Sequence, residues 1–418
     1  VSGTEHIIVH QPNLYIRYHP SIKGKIKEML QIALAGKPNC GKSTIYKSLT
    51  LANVEIANYP FTTINANKGV AYVRSKCPCR ELGIEGCTEC VDGNRFVPVE
   101  LIDVAGLVPD AHLGRGLGNQ FLDNLREADA IIQVVDASGS TDAEGNPVDV
   151  GTRNPLDDVK FLRYEFAMWM AGIVEKHRAK LVRQAQGKEQ VLIDLLGEAL
   201  GGLRIDALQL KQAVDECGIN LARATPEDIE KVCEVLLRIS KPTLIAANKA
   251  DLASDENIAA LKELGAIPTI GVGELALKTA ASAKILKYLP GDATFTPVEG
   301  AKLSAPQIKA LTLIAQSMKK FGSTGVQEIL NKVVFEEIGM IVVYPVEDEN
   351  KFCNAKGQVL PDAFLMPTGS TPKDLAFRVH TDIGKGFLYA VDARTKMRIK
   401  DTTILKSGDI IKIVSTAK

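Results

Sequence analysis

Gly36-Lys37-Pro38-Asn39-Cys40-Gly41-Lys42-Ser43-Thr44 decides how the rest of the chain is read. The apolar run Ile32-Ala33-Leu34-Ala35 precedes it, and Ile45, Leu49 and Leu51 come after it at helical spacing. The order is strand, glycine loop, helix. The spacing G-x-x-x-x-G-K-[ST] lets successive main-chain N–H groups curl around a phosphate at a helix N-terminus. Gly36 and Gly41 supply backbone angles that a side chain would forbid. Lys42 is placed to reach the β- and γ-phosphates of a nucleotide, and the Ser43 hydroxyl to ligate Mg²⁺. Pro38, Asn39, Cys40 and Thr44 complete the predicted cradle.

The chain of 418 residues is too long for one core, so two or three domains are expected. An apolar content of 45% excludes wholesale disorder. Lys+Arg and Asp+Glu both number 50, so any contact with nucleic acid must be local. No apolar run approaches the length of a membrane span, and no secretory pattern opens the chain. Eight cysteines are present, four of them between 77 and 90, which is not a secreted disulfide framework. These features predict a cytoplasmic protein. Val1–Glu28 fits poorly with the remainder of the chain and is read as an upstream extension, a mis-assigned start or an expression remnant, because Met29 stands just before the first strand.

From Leu30 to about Leu289 the pattern is that of an α/β nucleotide domain. Asn58-Tyr59-Pro60-Phe61-Thr62-Thr63-Ile64 suits a loop. Lys68–Arg74 and Phe96–Ile102 read as strands. The second runs into Asp103-Val104-Ala105-Gly106, and a carboxylate at a strand end beside the phosphate loop is where Mg²⁺ is held. Gly106 can turn its N–H toward a γ-phosphate. Leu107–Gly118 holds three glycines and a proline, which predicts a mobile loop, followed by a helix around Asn119–Glu127 and a buried strand at Ala130–Val135. The strand Thr243–Ala247 leads into Asn248-Lys249-Ala250-Asp251. In this N-K-x-D pattern the aspartate can accept both the N1 and N2 donors of guanine, a pair that adenine lacks.

Far more chain separates Val135 from Thr243 than one crossover helix needs. Leu156, Val159, Leu162, Phe166, Met170, Ile173, His177 and Leu181 form one helical stripe, and Val191, Leu195, Leu196, Ala199 and Leu200 a second. A third starts at Thr225-Pro226-Glu227-Asp228, with an N-cap threonine and an acid three residues later. Together they predict a helical insertion, partly a projecting two-helix hairpin. Trp169 and Met170 are read as core, and His177 as a rim residue of the same stripe.

The expected division is therefore a nucleotide domain at 29–150 and 241–290, with a Cys-rich insert at 75–95 and the helical insertion at 151–240. A helical connector at 291–338 and a small α+β module at 339–418 complete it. Within the connector, Ala305–Lys319 and Val326–Lys332 have helical spacing. Within the last module, Met340–Val346, Phe387–Val391 and Ile410–Val414 read as strands and Thr371-Pro372-Lys373-Asp374 as a capped helix start. Residues 341–418 hold 12 Lys+Arg against 9 Asp+Glu, too slight an excess to show a nucleic-acid face.

The order of motifs resembles the Obg family of P-loop GTPases, and more closely its YchF-type branch, also called Obg-like ATPases. The residues carrying the resemblance are Gly36–Thr44, Asn58–Ile64, Asp103–Gly118, Lys356-Gly357-Gln358-Val359-Leu360-Pro361-Asp362-Ala363-Phe364 and Thr381-Asp382-Ile383-Gly384-Lys385-Gly386-Phe387. The last two stretches look like a TGS domain, a ubiquitin-like β-grasp module. The resemblance covers residues 29–418. It implies a G domain with an inserted helical arm, a C-terminal TGS domain, contact with RNA or the ribosome, and a role in translation. In this family Thr63 would be the switch threonine on Mg²⁺. Members named as ATPases have lost the guanine-reading tetrapeptide, whereas Asn248, Lys249 and Asp251 are kept here. GTP is therefore expected as ligand, with ATP as the alternative, and a scaffold with negligible turnover as a further one. The last base-contacting loop departs from the usual Ser-Ala, reading Thr269-Ile270-Gly271-Val272-Gly273-Glu274, and the Gly271 N–H is expected to reach guanine O6.

The implied reaction is hydrolysis of the β–γ phosphoanhydride, in which positioning and charge neutralisation do most of the work. Lys42, Mg²⁺ and the loop N–H groups supply the charge. Leu107 stands where many GTPases carry a water-orienting glutamine and cannot orient water. His112, in the same loop, is the candidate for that role, against the alternative of an exposed loop histidine. Asn39 resembles the asparagine that related GTPases use to hold K⁺; its other role would be shaping the loop. Finally, Cys77-Pro78-Cys79 and Cys87-Thr88-Glu89-Cys90 can close a tetrahedral S₄ site suited to structural Zn²⁺. The alternative is four reduced thiols at a hairpin tip.

Overall fold

A computed structural model describes residues 29–51, 67–113 and 125–417. The segments holding Val1–Glu28, Asn58–Ile64 with Thr63, and Gly114–Gly118 lie outside the described residues. Of the helix expected around Asn119–Glu127, residues 125–127 are described and are helical.

β1 (Gln31–Ala35) ends at the phosphate loop, and the helix Lys42–Thr50 comes next. β2 (Lys68–Lys76) and β3 (Asn94–Asp103) form an antiparallel pair, joined through the short helix Pro78–Glu81 and the Cys-rich loop. β4 (Ala130–Asp136), β5 (Thr243–Asn248) and β6 (Ile267–Thr269) complete a six-stranded sheet of order β2-β3-β1-β4-β5-β6. All neighbours except β2 and β3 are parallel. The strand ends that carry Gly36, Asp103, Asp136 and Asn248 therefore gather at one edge, outside the carboxyl ends of the parallel strands, where ligands bind in such sheets.

Side chains alternate across each strand, so the sheet has two apolar faces. Ala33, Ala35, Ile102 and Ile131 share a core with Leu162, Phe166 and Met170 of the helix Pro155–Leu181. Ile32, Leu34, Leu101 and Val134 face the other way, onto Ile45 and the helix Val326–Lys332. Between β4 and β5 run four helices, Pro155–Leu181, Glu189–Leu200, Ala207–Cys217 and Pro226–Ser240. The sequence reading missed Ala207–Cys217. Its Leu208 is exposed, which blurs the apolar stripe, although Asp206 and Gln209 form a capping box that marks its start. Thr225 and Asp228 form the expected capping box at Pro226–Ser240. The first half of the insertion's long helix is part of the sheet's own core. Met170 is buried and Trp169 packs beside it, stacked on Phe166.

After β6 come the helix Gly271–Ser282, the small pair β7 (Leu286–Lys287) and β8 (Thr296–Pro297), and the helix Ala305–Phe321. The chain then forms a second sheet from β9 (Met340–Val346), β10 (Phe364–Pro367), β11 (Phe387–Asp392), β12 (Met397–Ile399) and β13 (Ile410–Ser415), of order β10-β9-β13-β11-β12. β9 and β13 are parallel and the other pairs antiparallel. Leu375 of the helix Pro372–Val379 fills the same core as Val343, Met366, Ala390 and Ile411, giving a sheet wrapped on one helix. The four-residue β10, which ends in proline, and the three-residue β12 are too short to show a period in sequence.

Candidate functional site

The phosphate loop folds as its glycines require. Gly41 caps the helix Lys42–Thr50 at φ 102°, and a Cβ there would strike the Asn248 amide. That absence of a side chain lets Asn248 Nδ2 donate to Cys40 O at 2.9 Å, while Asn248 Oδ1 accepts the Gly271 N–H at 3.1 Å. One buried amide thus ties the phosphate loop to the strand-end loop of β5 and to the start of the helix Gly271–Ser282. The N–H of Gly271, expected to face guanine O6, is used in this strut. Asp251 lies three residues beyond Asn248 in an exposed turn.

Lys42 Nζ donates to Lys37 O at 2.7 Å, curling over the loop. Ser43 Oγ lies 3.4 Å from Asp103 Oδ2, so the two residues expected to hold Mg²⁺ meet. Asp103 Oδ1 is buried and has no hydrogen-bond partner among the described residues. Burial pushes the Asp103 carboxyl above its ordinary range, while Lys42 and Ser43 oppose that rise. An orphaned carboxylate oxygen beside a hydroxyl is a hard-oxygen donor pair, and it fits Mg²⁺. Gly106 packs against Pro38, since a Cβ there would overlap the Pro38 ring and its nitrogen. The D-x-x-G loop therefore lies directly on the phosphate loop, with the Leu107 N–H donating to Gly36 O at 3.1 Å.

The Leu107 side chain points into the core and is 1% exposed. His112 is not a free loop residue. It sits in the short turn Ala111–Leu113, and its Nδ1 lies 2.7 Å from Glu165 Oε2. The N–H groups of Asp110 and His112 also donate to Glu165, each at 3.0 Å. Asn39 adopts φ 59° and donates from Nδ2 to Gly145 O at 3.0 Å, which is loop shaping through a remote backbone group.

Four positions that brace these loops escaped the sequence reading. Lys37 forms a buried ion pair with Asp158 at 2.6 Å and donates to Thr141 O at 2.7 Å. Glu165 holds the His112 turn. Asp136, at the end of β4, accepts from Ser138, Ser140, Thr141 and Lys249 Nζ, the last at 2.8 Å. Burial opposes ionisation of Asp136, but the Lys249 ammonium and the hydroxyl donors outweigh it and hold the carboxyl below its usual range. Two signals were available. Asp136 is a strand-end acid followed by Ser138-Gly139-Ser140-Thr141, and Glu165 is an acid beside Phe166 on an apolar stripe.

The cysteines Cys77, Cys79, Cys87 and Cys90 stand away from these strand ends, at the far end of the β2–β3 pair. No helix of the described residues is long and apolar enough to cross a membrane.

Three family models match parts of the chain: "50S ribosome-binding GTPase" over residues 31–159, "Obg-like GTPase YGR210-like, G4 motif-containing domain" over 246–348, and "TGS domain" over 356–415. An uncharacterized GTP-binding protein of Methanocaldococcus jannaschii is 50% identical over 399 residues, covering 93% of this chain and 100% of its own. A ribosome-binding ATPase, YchF, of Bacillus subtilis is 33% identical over 246 residues, covering 57% of this chain and 62% of its own. The crystal structure of a GTP-binding protein from Pyrococcus horikoshii superposes with a TM-score of 0.71 at 38% identity, covering 93% and 100%.

Proposed function

The chain belongs to the Obg-like, YchF-type family of P-loop GTP-binding proteins with a C-terminal TGS domain, and from that premise we propose that it hydrolyses GTP to GDP and phosphate in a Mg²⁺-dependent switch cycle. The observation that carries this reading is the Asn248 strut. It holds the start of the N-K-x-D loop against Cys40 of the phosphate loop, which supports reading the two loops as parts of one site.

In this proposal Gly36, Pro38, Asn39, Cys40, Gly41 and Thr44 shape the cradle and Lys42 neutralises the β- and γ-phosphates. Ser43 and Asp103 would hold Mg²⁺, joined by Thr63 when the γ-phosphate is present. Bound Mg²⁺ would supply further neutralisation of phosphate charge. Gly106 offers its N–H to the γ-phosphate, and His112 orients the attacking water. Asn248, Lys249 and Asp251 select the base, and Gly271 braces Asn248. The domains divide at 29–150 and 241–290 for nucleotide, 151–240 for the insertion, 291–338 for the connector and 339–418 for the TGS module. One family model and the Bacillus subtilis relative carry ribosome-binding names, which supports a cytoplasmic setting on or near the ribosome, with the TGS module and insertion as the contact surface.

A second reading, ATP hydrolysis, is favoured by one observation: the Gly271 N–H that would read guanine O6 is occupied by Asn248. Competition of GTP, GDP and ATP for one fluorescent nucleotide analogue, with phosphate release by wild type and Lys42→Ala, tests both. GTP binding at least about 10²-fold tighter than ATP, with release abolished in Lys42→Ala, is expected. Tighter ATP binding overturns the choice of base, and absent release with GTP and ribosomes overturns the enzyme.

A further inference from the structure

The four cysteines that nucleotide binding leaves unused are arranged for another purpose. Cys77 ends the run of β2, Cys79 lies in the helix Pro78–Glu81, and Cys87 and Cys90 lie in the loop returning to β3. Cys77 Sγ is 3.9 Å from Cys87 Sγ, and Cys79 Sγ is 3.6 Å from Cys90 Sγ. All four sulfurs lie within 4.8 Å of one another. A tetrahedral Zn–S₄ centre with Zn–S of about 2.3 Å has S···S edges of about 3.8 Å. The sulfur spacing is therefore within about 1 Å of that of a tetrathiolate centre. None of the four is disulfide-bonded.

We propose that Cys77, Cys79, Cys87 and Cys90 bind one structural Zn²⁺ as a closed tetrathiolate knuckle, and that this knuckle braces the surface on which the C-terminal module docks. The donor set is all sulfur, which selects a soft or borderline ion and excludes Mg²⁺ and Ca²⁺. With four protein ligands there is no open coordination position, so the site is structural and not catalytic. Binding converts up to four thiols to thiolates and releases their protons to solvent.

Local architecture supplies the reason for a crosslink. Between Lys76 and Asn94 the only regular element is a helix of four residues, too short to hold its own shape. Yet this loop carries an interface. Cys77 and Cys79 are buried in one apolar cluster with Leu360 and Ala363 of the C-terminal module, and Leu82 and Ile84 pack against it. Glu81 pairs with Arg394 at 2.9 Å, and Arg95, just past the loop, donates to Pro361 O at 2.8 Å. A metal at the four sulfurs ties both ends of the loop together beneath those contacts.

The test uses the full chain, purified without chelator. Elemental analysis should find about one zinc per chain, falling to near zero in Cys87→Ser/Cys90→Ser, two half-buried positions. Cobalt loaded in place of zinc should give the thiolate-to-cobalt charge-transfer and tetrahedral d–d bands in wild type, and lose them in the double variant. Hydrogen exchange should rise in 77–93 and in 352–363 of the double variant, while GTP binding stays within about twofold. That last readout separates failure of the knuckle from failure of the nucleotide assignment. Absence of stoichiometric metal together with no thiolate-to-cobalt band overturns the proposal. So does mass-spectrometric detection of Cys77–Cys87 and Cys79–Cys90 disulfides in the native protein, or one equivalent of iron in place of zinc. If the double variant fails to fold, titrating wild-type thiols with a mercurial while following zinc release gives the same decision: release of one zinc supports the site, release of none removes it.

Discussion

Asp158 and Glu165 lie on the same face of the helix Pro155–Leu181, and each holds a residue of a different nucleotide loop: Asp158 pairs with Lys37 at 2.6 Å and Glu165 with His112 at 2.7 Å. Seven residues are nearly two full turns, so the two acids point the same way within about 20° and stand about 10 Å apart along the axis. One rigid element therefore touches both the phosphate loop and the loop that comes after Asp103. A change in either loop bears on a side-chain contact made by that helix.

The Lys37–Asp158 pair is almost completely buried, with side chains 2% and 7% exposed. Removing one partner strands the other charge away from water. Asp158→Asn should cost about 3–5 kcal/mol, read as a lower urea midpoint. The double variant Lys37→Met/Asp158→Leu should lose less than the two single losses added, because neither member of the buried pair is left without the other, although Arg153 loses its contact with Asp158 at 3.5 Å. Equal and additive losses would show that the pair is not coupled.

His112 and Glu165 separate by a kinetic measurement. His112→Ala should lower phosphate release by about 10²-fold while leaving GTP affinity unchanged, if the imidazole acts on water. Glu165→Gln replaces two accepting oxygens by one, so a main-chain N–H of the His112 turn loses its partner at about 1–3 kcal/mol. Its phosphate release should fall less than that of His112→Ala. Unaltered release in His112→Ala would remove the residue from the mechanism.

Much of the fold was legible because its elements repeat their periods over several turns or strands. The phosphate loop, the strand ends at Asp103 and Asn248, and the capped helix at Thr225 could be found by spacing alone. The struts could not. Lys37 and Asp158 are 121 positions apart in the sequence, and each on its own reads as a solvated charge. Gly271 is another case: its local sequence predicts an exposed N–H, but a buried Asn248 from a different strand consumes it. Pairing across elements is a property of packing, and one chain read in order carries no record of it. The Cys77–Cys90 cluster is the opposite case, since all its donors lie within one short loop.

Asp136 should shape the acid limb of stability. Its carboxyl is held below the ordinary value in the folded chain, despite its burial, by Lys249 and three hydroxyl-bearing neighbours. In the unfolded chain it returns to about 3.9. The unfolded state then binds more protons in the interval between the two values, so stability is present above about 3.9 and is lost as pH falls through the folded value. Asp136→Asn should cost about 2–4 kcal/mol near neutrality, since it breaks a buried ion pair with one partly exposed partner. The difference from wild type should narrow as pH drops below about 3.9. Urea unfolding across that range checks it, and a pH-independent difference would mean that the carboxylate charge is not what stabilises the turn.

Asp251 offers the sharpest test of the base assignment, since it is exposed and outside the packed core. In the proposed site a carboxylate there would accept the N1 and N2 donors of guanine together. Asp251→Asn replaces one acceptor by a donor, which faces the guanine amino group but matches the C2 carbonyl of xanthine. GTP affinity should fall by about 10²–10⁴-fold, and xanthosine triphosphate should gain by a comparable factor. The fold should be undisturbed, because Asn248 keeps its bonds to Cys40 O and the Gly271 N–H. ATP affinity should not change, because adenine offers no such donor pair. Equal losses for GTP and ATP would place Asp251 in loop structure, not in base recognition, and would return the choice of nucleotide to the occupied Gly271 N–H.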